Sequence, residues 1–253
     1  ANLLLMNPAG IVFGPNAVLN VGGSVSFTTA DYLRSTDGAR FNAITGPQDA
    51  AISSAPVAAF GFLGSTPGAI TVQGAQLAVS EGQGISLVGG NITVQGGTLA
   101  QATVQPARLS APGGQITLVS VGSPGEVSAT GIENQPLEPF VNGFSRFGTI
   151  SLSQGTSIDT SATKAGRIII RGGQFTMDDA SIKSITGNGH GMVTEGETAS
   201  PAISITSETI ILNNGTLITA DTHGSAPAGD ITFNVRTLTT EGDATNRLEL
   251  NPN

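Results

Sequence analysis

Residues 168–182 read I-I-I-R-G-G-Q-F-T-M-D-D-A-S-I, with apolar residues at relative positions 0, 2, 7, 9 and 14: Ile168, Ile170, Phe175, Met177 and Ile182. The same spacing recurs at Ile85, Leu87, Ile92, Val94 and Leu99, and again at Ile203, Ile205, Ile210, Leu212 and Leu217. A step of two puts two side chains on one face of a strand. A step of seven begins the next strand after a short corner. A chain that turns the same way after each short strand winds a coil, and the turns of a coil must stack to bury an apolar face.

The composition suits a narrow coil. There are 35 Gly, aromatic residues are 4% and charged residues 11%, so few large side chains exist to fill a wide core. A seven-residue period also occurs in coiled coils, but these units are full of Gly, Thr, Ser and Asn, which are poor in helix interiors. The period is not the six of narrow left-handed β-helices. A β-sandwich also suits short strands and Gly-rich turns and stays an alternative, but it does not predict two corners of fixed length kept over three copies. The reading is an all-β, right-handed parallel β-helix, a solenoid with three strands per turn and extra-helical loops.

Further strands are expected to begin the pattern at Ile70 (with Val72, Leu77 and Val79), Ile116, Ile150 and Ile231. Ile168, Ile203 and Ile231 should then stack, as should Phe175, Ile210 and Leu238. Surplus length should leave the coil as loops at 122–148, 187–202 and 221–230, and residues 31–66, with Phe60 and Phe62, should form an excursion.

Charge and chemistry narrow the function. A net charge of −8 without acidic runs argues against nucleic acid and anionic membranes, which want a basic face. With no Cys there are no disulfides or thiolate metal sites. His190 and His223, with Asp221, are the best metal constellation on offer, but two solvated loop histidines explain them much better. Asp178-Asp179 resembles the carboxylate pair of a glycoside-cleaving enzyme, yet it aligns with Gln95-Gly96 and Asn213-Asn214, which marks a corner. The glycine pairs lack the Lys and Ser/Thr of a phosphate loop. No catalytic residue, metal or cofactor is expected. Phe140, Phe144 and Phe147 either pin their loop to the coil or form a partner-binding patch. No apolar run approaches the roughly 20 residues of a membrane helix. The chain opens on Ala1 with neither an initiator Met nor a signal peptide, and is expected to be a piece of a longer polypeptide.

The stretch A-N-L-L-L-M-N-P-A-G-I-V-F-G-P-N-A-V-L-N-V-G-G-S-V-S-F-T-T-A-D-Y-L, residues 1–33, resembles the haemagglutination-activity (two-partner secretion) domain of filamentous-haemagglutinin-like exoproteins, typical of cyanobacteria and other Gram-negative bacteria. The likeness continues more loosely through L-V-G-G-N-I (87–92) and S-A-P-G-G-Q-I-T-L-V-S-V (110–121). It implies export of an unfolded chain through an outer-membrane β-barrel transporter, followed by folding outside as a right-handed β-helix. The family's second Asn-Pro motif, N-P-N-G-I, falls on Asn7, Pro8, Ala9, Gly10 and Ile11; Ala9 replaces an Asn, which removes one turn-forming side chain. The resemblance makes Asn7, Pro8, Gly10 and Ile11 candidates for recognition by the transporter. It places the first motif upstream of this chain, so export competence of the piece alone is not assumed.

Residues 1–130 are therefore read as a partial secretion-domain-like β-helix, and 131–253 as continuing turns of the exoprotein body. The first functional expectation is a secreted or cell-surface, non-catalytic adhesin-type protein that meets a host or neighbouring cell surface or glycan. The second is a fibre subunit that self-associates head to tail through its open strand edges. The third is an enzyme acting on polysaccharides.

Overall fold

The computed structural model describes residues 1–44, 46, 54–99, 103–129, 141–187, 202–223, 228–241 and 247–248. Among them every regular element is a β-strand, and most strands join one curled parallel sheet. The pairings sort this sheet into three rows. Row one stacks Leu3–Met6, Val25–Thr28, Ile85–Gly89, Gln115–Ser120 and Arg167–Arg171, then the first halves of Ile203–Asn213 and Ile231–Glu241. Row two stacks Ile11–Phe13, Ile70–Gln73, Ile92–Gln95, the first halves of Thr149–Asp159 and Gln174–Thr186, and the second halves of Ile203–Asn213 and Ile231–Glu241. Row three begins at Val18, bridged to Gln76. It continues through Gln76–Ala78, Arg108–Ser110, the second halves of Thr149–Asp159 and Gln174–Thr186, Leu217–Thr222 and Arg247–Leu248. Among the described residues the chain visits rows one, two and three and then starts again, making seven rungs in β-helix-like order.

Inward side chains form columns along the stack. Val25, Ile85, Ile116, Ile168 and Ile203 line row one, Ile70, Ile92, Ile150, Phe175 and Ile210 line row two, and Leu77, Leu109, Ile158, Ile182 and Ile218 line row three. All belong to one buried cluster. Thirteen of the fifteen residues of the spacing pattern lie in it. Ile168, Ile203 and Ile231 stand in register, as do Phe175, Ile210 and Leu238.

Two positions depart from expectation. Leu99 is half-buried beside an added antiparallel pair, Gly97–Thr98 with Val104–Gln105, and Leu109 takes the row-three place between Leu77 and Ile158. Leu217 is half-buried as well. The corner before it, Asn214-Gly215, carries one more residue than the corner at Asp179, so Ile218 is the residue that pairs with Ile182. The pattern's phase also shifts: Ile70 and Ile150 pair with Ile92, in row two, and not with the row-one residue Ile85. Long excursions separate each of them from the row-one strand of its own rung.

Those excursions build a second sheet. Arg40–Asn42, Tyr32–Ser35, Val57–Phe62, Gly125–Ser128 and Val141–Asn142 pair antiparallel in that spatial order, joining the excursion within rung 2 to the one within rung 4. The sheet covers the outer face of row one, where Phe60, Phe62 and Val127 pack with Val88 and Val119 in a separate buried cluster. Of the expected loops, 122–148 contributes to this sheet through its described parts, residues 188–201 of 187–202 lie outside the described residues, and so do residues 224–227 of 221–230.

Candidate functional site

The segment Asn7–Ile11 forms the bend between rows one and two on the first rung. The Asn7 amide donates to the Thr28 carbonyl, 2.9 Å, which ends the first strand in register with the next rung. The Gly10 amide then closes a four-residue turn on the Asn7 carbonyl, 3.1 Å, while the Asn7 Oδ1 accepts from the Ala9 amide, 3.1 Å. Asn before Pro suits this geometry, because the amide side chain mimics a backbone turn and the ring presets φ. Gly10 has φ +116°, which L side chains rarely adopt, and a Cβ there would lie 3.0 Å from the Ala69 carbonyl oxygen. The turn closes without help from a side chain at position 9. Of the four candidate residues, Asn7 is exposed and Pro8 half-buried, whereas Ile11 is buried in the core and pairs with Ile70. The structure brings all four together in one bend, with Asn7, Pro8 and Ala9 at its surface.

This bend lies against the base of the second sheet. A Cβ on Gly68, where the first excursion re-enters row two, would lie 2.3 Å from the Pro8 carbonyl oxygen. The buried Thr29 hydroxyl donates to the Gly68 carbonyl, 2.7 Å, and fixes where the excursion departs and returns. Farther out, Tyr32 pairs with Gly61 and Gly61 with Glu126 across three strands. Gly61 has no side chain, so the Tyr32 ring lies across it and its hydroxyl donates to Glu126 Oε1, 2.7 Å. Arg34 donates to the same carboxylate from Nε and Nη2, at 2.7 Å for the shorter contact with Oε2. The Arg34 bonds hold the Glu126 carboxyl below the ordinary carboxylate range, while burial, followed by the Glu126 bond, pushes the Tyr32 phenol up. This cluster locks one excursion to the other. Sequence reasoning missed it, although the only Tyr in the chain and the F-G-F run at 60–62 were visible signals.

Phe144 and Phe147 are half-buried, with ring centres 5.8 Å apart, and Phe144 lies 6.1 Å from Phe62. They pack against the second cluster, and Arg146 ties the same loop to the Gly122 and Ser65 carbonyls. Phe140 lies outside the described residues, as does His190; His223 is exposed at the end of Leu217–Thr222. Asp179 has φ +50°, and Asp178 Oδ1 accepts from Asn214 Nδ2 of the next rung, 3.0 Å, so this carboxylate pair forms a corner between rows two and three. Among the described residues no group of three His, Cys, Asp or Glu could hold a metal.

The family model of the TPS secretion domain matches residues 1–177, more than half of the chain. The chain belongs to the TPS secretion domain family. TPS stands for two-partner secretion, so the protein is a two-partner secretion exoprotein, and its implied partner is an outer-membrane transporter. The TPS family is one of secreted exoprotein domains, not of enzymes. No curated protein and no solved structure matches the chain.

Proposed function

We propose that this chain is part of a non-catalytic, adhesin-type exoprotein that crosses the outer membrane unfolded, folds outside the cell as a right-handed β-helix, and remains extracellular or at the outer surface. The TPS match over residues 1–177 carries this reading. The architecture supports it physically. Each rung pairs with its neighbours in sequence, so the stack can grow rung by rung as the chain emerges. No disulfide is needed, because there is no Cys. The right hand follows from the strong preference of parallel strand connections for that sense.

In this reading Asn7, Pro8, Gly10 and Ile11 serve recognition by the transporter: Asn7 and Pro8 present the contact, while Gly10 and Ile11 set its shape. The test is a secretion assay in the exoprotein that contains this chain, produced together with its transporter. Replacing Asn7 and Pro8 by Ala is expected to lower the secreted fraction severalfold while the purified chain melts within a few degrees of the parent (roughly 1 kcal/mol or less). Undiminished secretion of that variant would overturn the assignment.

A further inference from the structure

A groove of about 340 Å³ crosses rungs 5 to 7 where row one bends into row two, and the export reading makes no use of it. Arg171, Thr206 and Asn234 stand in one outward column, paired from rung to rung, and Arg236 lines the groove on the same rung as Asn234. Phe147, from the excursion within rung 4, supplies an aromatic wall, and the Arg171 guanidinium lies 5.0 Å from its ring centre. That face attracts the cation and holds it at the groove's edge. The Ser207 hydroxyl is spent on the Gly173 and Thr209 carbonyls, at 3.0 and 2.9 Å, and so fixes the bend itself.

The arrangement has a definite chemistry. Two arginines, whose guanidinium forks suit carboxylates, stand on rungs 5 and 7, about 10 Å apart along the stack at the backbone, with Arg236 two residues past the Arg171 column. Thr206 and Glu208 stand on the rung between them and Asn234 on the rung of Arg236, and hydroxyl, carboxylate and amide side chains are the kinds that bond sugar hydroxyls. Two rungs match one disaccharide of an extended glycan. Glu208 between the cations, and a chain carrying net charge −8, disfavour a densely charged polyanion such as nucleic acid.

We propose that this groove binds an acidic glycan strand bearing one carboxylate per disaccharide, with successive carboxylates on Arg171 and Arg236 and the strand lying along Phe147. This gives the adhesive reading a ligand class and rests on it. Hyaluronan octasaccharide, which carries a glucuronate on alternate sugars, is titrated calorimetrically into the purified chain beside neutral chitohexaose. The acidic oligosaccharide alone should bind, more weakly as salt rises, and Arg171→Gln and Arg236→Gln should each weaken binding about tenfold. Arg236 is exposed, so its variant should melt like the parent and stays informative even if Arg171→Gln loosens Phe147. A flat titration of the parent, or parental affinity in both variants, overturns the groove. Adhesion is tested separately by attachment of cells displaying the exoprotein. Attachment that survives the double variant overturns the groove alone, whereas a parent that never attaches overturns the adhesive reading.

Discussion

Replacing Gly166 by Ala should lower the melting temperature by about 6–12 °C, whereas the same change at Gly22 should leave it within about 2 °C. Both glycines lie where row three returns to row one, and neither has a positive φ. What differs is the rung beside them. A Cβ at Gly166 would lie 1.8 Å from the Gly114 carbonyl oxygen and 2.7 Å from the Gly114 backbone nitrogen, while one at Gly22 meets nothing within 4 Å. The crowded atoms at Gly166 are backbone, held by the bond from the Arg167 amide to that same Gly114 carbonyl, 2.8 Å. No rotamer relieves the contact, so the rungs must part. Overpacking of this kind costs about 1–3 kcal/mol, and the rigid backbone puts this site at the upper end. Thermal melts followed by circular dichroism check both variants; equal stability of Gly166→Ala and the parent would refute the close approach of the rungs.

Ile203→Asp is expected to cost more, above about 4 kcal/mol. Ile203 is fully buried between Ile168 and Ile231, so the change gives up a burial of roughly 1.5–3 kcal/mol. It also leaves a carboxylate among aliphatic neighbours with no partner. Because each rung contacts only the next, the damage should be graded along the stack. Hydrogen exchange should show lost amide protection in Ile203–Asn213 and Ile231–Glu241, with protection kept in Ile70–Gln73 and Ile92–Gln95. Uniform loss across all rungs, or none, would contradict a stacked core.

Much of this fold was legible because the inward side of each strand must be apolar at every second residue, and that demand repeats with the rung. Thirteen side chains obeyed it. Leu99 and Leu217 did not, because corner length is set by turn geometry: an inserted antiparallel pair and one additional left-handed residue move the core position without disturbing the apolar pattern. The second sheet was harder to see. Its trace in the sequence is Leu87-Val88 and Leu118-Val119, where apolar residues break the alternation because both faces of those strands are covered. What pairs with what across two excursions nearly a hundred residues apart, as in Tyr32 with Glu126, is not written in local spacing. The Asn7–Ile11 bend was legible as a motif, but the division between its exposed and buried members needed coordinates, since Ile11 serves the core and the bend at once.

Successive rungs stack in parallel at a constant spacing. Thr71, Thr176, Ile211 and Thr239 occupy one outward column of row two on rungs 2, 5, 6 and 7. The absence of native Cys allows paired spin labels at these positions alone. Double electron–electron resonance from position 71 to positions 176, 211 and 239 should give mean distances that lengthen by about 5 Å per rung, from about 14 to about 24 Å between backbones. A distance from 71 to 239 no longer than that from 71 to 176 would mean that the chain folds back on itself, and would contradict the stack.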